Sequence, residues 1–475
     1  MAKRGHRVMV VSPLYCGITG VNSTGVWLDI DGENIEYFHH YDRGVDWVFV
    51  SHPHFFDREG LYGNSEGAYD DNLWRYRLLS LAALEAPLAL PLGGAVYGED
   101  VMMVANDWQT ALVPLFLAAR YHPAGALLRT RCALIIHNMR HQGVECMSKF
   151  PYIGLPDHWS SSLEYIYPDS VGMNLLKAGI ETADKVVTVS RSYASEIQEQ
   201  PHGWGLEALL QKRADEGALD GVVNGIDVDE WNPETDPHIP HNYGPSNFTK
   251  GKAACKAALQ AEAGLQQRPD AVLLGFIGRL DEQKGVDVLL EAVPWMVEQG
   301  CQVVCLGTGT PELQERLEAL SKQFIGNAVG ITKFDVGLSH RITAASDLLL
   351  MPSRFEPCGL NQIYAMRYGT PVIANATGGL KDTVLHYDPW ADKGTGWTFS
   401  PCEPQPLRDA VSTALYTIRE HSDAFWSMKY QMIRQDYSWH CAAGKYETIF
   451  RLCLLAAPLV LKMLGPTTSK EMVLH

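Results

Sequence analysis

The chain has 475 residues, 46% hydrophobic and 20% charged, with a formal net charge of −16. That length exceeds one ordinary domain and predicts two substantial α/β domains, while the acidity excludes a general nucleic-acid binder, which needs a broad basic surface. Ten cysteines without a CxxC pair or short even spacing predict a reducing compartment and no disulfide framework, and no run reaches transmembrane length.

Met1 leads directly into AKRGHRVMVVSP, which reads as a helix end followed by a strand at 7–13, with no leader peptide. Residues 27–40 alternate around Asp31-Gly32 and predict a hairpin. Strands follow at 45–51, 101–105, 133–136, 185–190 and 221–223, with helices at 71–85 and 110–121. Residues 229–267 then change character. Pro233, Pro237, Pro240 and Pro245 lie in polar sequence, a charged helix follows at 250–263, and the whole stretch reads as a linker. Five further strands are expected at 271–277, 303–306, 328–331, 348–351 and 371–376, with helices clearest at 286–298 and 311–324. Strands alternating with helices imply mostly parallel sheets covered on both faces, so the chain reads as two Rossmann-like domains with a cleft between them. The apolar stretch 453–464, broken by Pro458, reads as a packed C-terminal helix.

In open parallel sheets, ligands bind outside the carboxyl ends of the strands. The GxGxxG fingerprint and the P-loop are both absent. Arg279 follows the first strand of the second domain and Lys284 lies five residues on. Both can converge on one anion, and Gly378-Gly379 at a helix start adds backbone donors, a set suited to a diphosphate. Glu356, in the loop after 348–351, is the best catalytic carboxylate; an ion pair with Arg354 that merely shapes the loop is an equally open reading. His137 ends a strand of the first domain and faces the expected cleft. His137 and His141 have the spacing of a metal pair but lack a third ligand and an HExxH base, so no metal is expected. The loose DxD pairs Asp29/Asp31 and Asp227/Asp229 fall in a hairpin turn and in the linker, and are not assigned.

Six motifs in order then match one family: VANDWQTALVP (104–114), HNMRHQGVE (137–145), VNGIDVDEWNP (223–233), GFIGRLDEQKG (275–285), SRFEPCGLNQ (353–362) and ATGGLKDTV (376–384). Together they resemble the bacterial glycogen synthase and plant starch synthase family over nearly the whole chain. DWVFVSHP (46–53) and ALEAPLALPLGG (83–94) resemble the soluble plant and algal starch synthases more. The resemblance implies a GT-B fold and retaining transfer of glucose from ADP-glucose to the 4-hydroxyl end of an α-1,4-glucan such as amylopectin, amylose or a glycogen-like chain. It implies domains at 1–228 and 268–435, joined by the linker 229–267, with C-terminal helices at 436–475 packing back on the first. By the same resemblance Glu356 balances positive charge at the transferred glucose, while His137 and Asp107 bind that glucose from the opposite domain. Asn224 lines the pocket, Arg279 and Lys284 hold the diphosphate with Thr377, Gly378 and Gly379, and Phe334 stacks on adenine. Cys358, Gly359 and Leu360 complete the donor-binding set. It further implies a soluble plastid enzyme without metal or other cofactor, without membrane or nucleic-acid partners, and open to association with other starch-synthesis enzymes.

The sequence departs from the family pattern at three points: Gln109 replaces a frequent His, Met139-Arg140 replace two apolar residues, and the family's first strand and Lys-Thr-Gly-Gly-Leu loop have no counterpart, which reads as an N-terminal truncation. The alternatives are a catalytically impaired glucan-binding or scaffold homologue, and a UDP-sugar transferase of the same fold.

Overall fold

The computed structural model describes residues 1–58, 60–166 and 171–455. The chain forms two compact units, the first from Met1–Thr188, Glu196–Asp220 and Ala443 onward, the second from Val189–Ser195 and Gly221–Ala442.

The first unit holds two four-stranded sheets. One begins with Val8–Pro13 beside Val45–Ser51 in parallel and continues as an antiparallel meander through Glu33–Asp42 and Asn22–Ile30. The tight hairpin falls at Asp31-Gly32, whose positive φ values of 53° and 91° suit a type I′ turn. This meander departs from the mostly parallel arrangement expected, because a two-residue turn can only join antiparallel neighbours. In the other sheet Met102–Asn106, Arg131–Ile136 and Lys185–Thr188 pair in parallel, with Leu219–Gly221 at the edge. Arg131–Ile136 is buried along its whole length, as expected of a central parallel strand. The helix Asn72–Ala89 is buried nearly all round and so lacks the one-sided apolar stripe of a surface helix. The C-terminal helix Trp439–Leu455 is fixed to this unit where Glu447 accepts from Arg4 Nε at 2.8 Å and sits 3.1 Å from His6 Nε2. The remainder of the C-terminal helices expected over 436–475, including Pro458, lies outside the described residues.

The second unit is a doubly wound six-stranded parallel sheet. Its spatial order is Ala328–Ile331, Gln302–Leu306, Leu273–Ile277, Leu348–Met351, Val372–Asn375, Gly396–Phe399. In chain order this is 3-2-1-4-5-6, with the topological switch point between Leu273–Ile277 and Leu348–Met351. The sixth strand, Gly396–Phe399, is additional to the five expected; its GWTF sequence opens on glycine and has no continuous apolar run.

The stretch 229–267 is not a linker. It packs into the core of the second unit, with Trp231, Ile239, Tyr243, Phe248, Cys255 and Leu259 buried. Trp231 is sandwiched between His340 and Tyr364 at ring-centroid distances of 3.8 and 3.7 Å. Asp236 joins His340 Nδ1 at 2.8 Å to the Tyr368 hydroxyl at 2.5 Å. The prolines prevent regular structure, but the large rings between them supply the burial of a core segment. Beneath the sheet, Asp347 accepts from Lys256 Nζ at 2.7 Å and from the Leu273 N–H at 2.9 Å, with Lys429 Nζ at 3.9 Å.

Candidate active site

Two loops meet at the switch point of the second unit. The loop after Leu273–Ile277 carries Arg279 and Lys284; the loop after Leu348–Met351 carries Glu356. Gln283 ties them together: its carbonyl accepts from the Arg354 N–H at 2.8 Å and its amide donates to the Phe355 carbonyl at 3.3 Å. Asn361 adds a bond from its amide to the Ile277 carbonyl at 2.8 Å. Two glycines let the Glu356 loop sit this close. Gly285, at φ 64°, presses on the Pro352 carbonyl, and Gly379 on the Cys358 carbonyl; a Cβ at either place would collide with backbone.

Glu356 is 6% exposed. Its Oε2 accepts from Lys284 Nζ at 2.6 Å and from the Ser353 hydroxyl at 3.0 Å. The reading of Glu356 as a partner of Arg354 is therefore overturned. Arg354 instead grips Asp287 with both terminal nitrogens, at 2.8 and 2.6 Å. That bond holds the Asp287 carboxyl below its usual range. Ser353 escaped the sequence reading because no spacing rule marks a hydroxyl three residues before a carboxylate.

Arg279 projects outward, its side chain 62% exposed, held by Gln283 Oε1 at 3.0 Å and Asp281 at 3.2 Å. The two cations do not converge: Lys284 lies on Glu356 and Arg279 faces solvent. Cys358 is buried against the backbone N–H of Asn224; burial pushes its thiol up to about 11, with the Asn224 bond opposing. This brings Asn224 beside Cys358, Gly359 and Leu360. Thr377, Gly378 and Gly379 open the helix Gly378–Thr383. The Thr377 N–H already donates to the Asn375 carbonyl, and the Gly379 N–H to the Glu356 carbonyl, each at 2.9 Å. The Asn375 amide reaches the Ser353 carbonyl at 2.9 Å, bracing the same loop. Phe334 follows the strand Ala328–Ile331 and is 87% exposed, an aromatic face left open at the sheet's carboxyl edge.

In the first unit, Asp107 and His137 sit at the carboxyl ends of neighbouring parallel strands. Asp107 Oδ1 accepts from the His137 backbone N–H at 2.7 Å, and His137 Nε2 lies 3.0 Å from Asn106 Oδ1. Asp107 adopts φ 50°, a conformation rare outside glycine, which aims its carboxylate along the strand end. Burial raises its pKa, against the pull of His137 and the neighbouring N–H groups. The His137 and His141 side chains are exposed. Among the described residues, no three His, Cys, Asp or Glu side chains gather as a metal-holding group.

Comparison with known proteins places these features. A family model for the starch synthase catalytic domain matches residues 1–212, and one for glycosyl transferases group 1 matches residues 261–424. Soluble starch synthase 1, chloroplastic/amyloplastic, of Oryza sativa subsp. japonica is 44% identical over 483 residues, spanning 97% of this chain and 75% of that protein. The enzyme of the same name from Solanum tuberosum is 45% identical over 486 residues, with the same coverage. Among solved structures, the catalytic domain of starch synthase IV from Arabidopsis thaliana bound to ADP and acarbose superposes with a TM-score of 0.83 at 30% identity, covering 96% of this chain and 93% of that one. Sucrose-phosphate synthase from Thermosynechococcus elongatus shares the fold, with a TM-score of 0.55 at 17% identity over 95% of this chain and 90% of that one.

Proposed function

This chain belongs to the starch synthase family and has the GT-B fold, and from that premise we propose how its residues divide the work. The chain transfers glucose from ADP-glucose to an α-1,4-glucan, and it acts in the plastid, as do its chloroplastic and amyloplastic relatives. In this reading the second unit holds the donor. Arg279 and Lys284 neutralise the diphosphate, Phe334 stacks on adenine, and Asn224, Cys358, Gly359, Leu360, Thr377, Gly378 and Gly379 form the surrounding wall. Glu356 faces the transferred glucose. His137 and Asp107, in the first unit, are assigned to the hydroxyls of that glucose.

The observation that carries this reading is the buried Glu356–Lys284 pair at 2.6 Å on the switch point of a doubly wound sheet. One side chain of the pair suits a cationic sugar centre and the other an anionic leaving group. As the bond from glucose C1 to the phosphate oxygen breaks, negative charge grows on ADP and positive charge on C1. Lys284 and Arg279 stabilise the first, and Glu356, held by Lys284 and Ser353, the second. The acceptor 4-hydroxyl then bonds to C1 on the face that ADP leaves, and its proton passes to a departing phosphate oxygen. No second carboxylate is required, in contrast to a two-carboxylate retaining glycosidase, and no step is routed through a metal.

The test is transfer of labelled glucose from ADP-glucose into amylopectin, amylose and glycogen, with UDP-glucose as competing donor and a chelator present. Incorporation from ADP-glucose that the chelator leaves intact is the expected result. Preference for UDP-glucose would reassign the donor; glucan binding without incorporation would leave only a binding role.

A further inference from the structure

We propose that a groove in the second unit, formed by residues 245–250 and the helix Ser422–Ile433, is a non-catalytic site for an α-glucan segment. The ligand class rests on the function proposed above; the site itself rests on the groove. Its volume is about 580 Å³, and its lining includes Phe248, Thr249, Asp423, Trp426, Ser427 and Tyr430. Trp426 and Tyr430 are 36% and 41% exposed. They are four residues apart on one helix, so their rings share a face and can meet sugars of one chain.

Trp426 is an immobilised ring. Phe248 meets it edge-on at 5.8 Å and 88°. The Lys429 ammonium, 1% exposed, lies 4.7 Å from its ring centroid. A ring already fixed from behind loses little freedom when a ligand stacks on its open part. Sugar rings present C–H groups of partial positive charge, which pack on the negative face of an aromatic ring, and their hydroxyls need polar partners at the edge. Asp423 and Thr249 supply such partners beside the two rings, while the Ser427 hydroxyl already donates to Asp392 and accepts from the Gln431 amide, each at 3.1 Å. The charges in the groove, Lys250 and Asp423, offset each other, so it has no excess of cations for a phosphate or nucleic acid. A neutral polyhydroxyl chain fits this lining. A glucan is also the one ligand of this family long enough to touch the protein at a second place while its end is being extended.

The experiment is native electrophoresis of the whole chain in gels of graded amylopectin content, without ADP-glucose. Wild type, Trp426→Ala, Tyr430→Ala and Thr249→Arg are compared, with Glu356→Gln as a control outside the groove. Retardation of wild type and Glu356→Gln, with about tenfold weaker apparent affinity for Trp426→Ala, is expected. Tyr430→Ala and Thr249→Arg change exposed positions and serve should Trp426→Ala fold poorly; both should weaken retardation while leaving transfer to maltotriose unchanged. Folded groove variants that migrate like wild type at every amylopectin concentration would overturn the proposal. Retardation that depends on the groove without any glucose transfer would sink the assigned function and leave the groove standing.

Discussion

Replacing Glu356 by Gln is the sharpest probe of the site. The substitution keeps the shape and an oxygen that can still accept from Ser353 and Lys284, now 3.0 and 2.6 Å away, but removes the charge. A carboxylate facing a cationic sugar centre at about 4 Å, with an effective dielectric near 20, is worth about 4 kcal/mol. That corresponds to roughly a thousandfold in rate. Lys284 neutralises part of the charge, so we expect kcat to fall about 10²–10³-fold. ADP affinity should not fall, because Lys284, assigned to the diphosphate, loses only the counter-charge that competes with it. Steady-state kinetics with ADP-glucose and amylopectin give the first quantity, and calorimetric titration with ADP the second. A fall in ADP affinity as large as the fall in kcat would refute the reasoning and make Glu356 a structural counter-ion for Lys284. A collapse of thermal stability would point the same way, since Lys284 retains a 20% exposed route to water.

Arg279→Ala should weaken ADP binding about tenfold, the value of one charge-assisted contact, with little change in thermal stability because the side chain is mostly exposed; unchanged ADP affinity counts against its role. Asp347→Asn leaves the buried Lys256 and Lys429 without their counter-charge and should cost about 3–5 kcal/mol in urea unfolding at neutral pH. Burial would raise the Asp347 carboxyl, but the two lysines outweigh it and hold it below its usual 3.8; its stabilisation is present above that value and fades as pH falls through the lower, folded pKa, so wild type and variant should converge in acid. Lys429 gives the same sign of slope in an alkaline window. Burial lowers it from 10.5 to about 8, so between those values the unfolded chain binds more protons and wild-type stability should rise with pH relative to Lys429→Met. Parallel pH–stability curves for the two proteins would contradict that placement.

The parts of this molecule that were legible in sequence are those governed by local pattern. The strands Val45–Ser51, Ala328–Ile331 and Leu348–Met351 and the helix Val286–Glu298 lie where their apolar periodicity puts them. What could not be read depends on partners far along the chain. Lys284 is 72 residues from Glu356, and only the order of strands in the sheet brings them together; from sequence, the adjacent Arg354 was the natural partner. Trp231 lies among prolines that mark irregular backbone, and nothing local says that His340 and Tyr364 will close on its two faces. Gly396–Phe399 reads GWTF, opening on glycine and lacking the continuous apolar run of Leu348–Met351, yet it completes the sheet as its sixth strand.

The two glycines that back the Glu356 loop bear on how such a site can diversify. Gly285 and Gly379 each touch a carbonyl of that loop where no side chain can be added, so its path admits almost no variation from either flank. If Phe334 and Arg279 hold the nucleotide as proposed, change in donor preference would come from the rim. Phe334 and Arg279 stand in solvent on separate strand ends and can be exchanged without disturbing the sheet beneath them. Under that assignment the loop bearing Glu356 is held by backbone with room only for glycine, while the choice of nucleotide rests on exposed side chains.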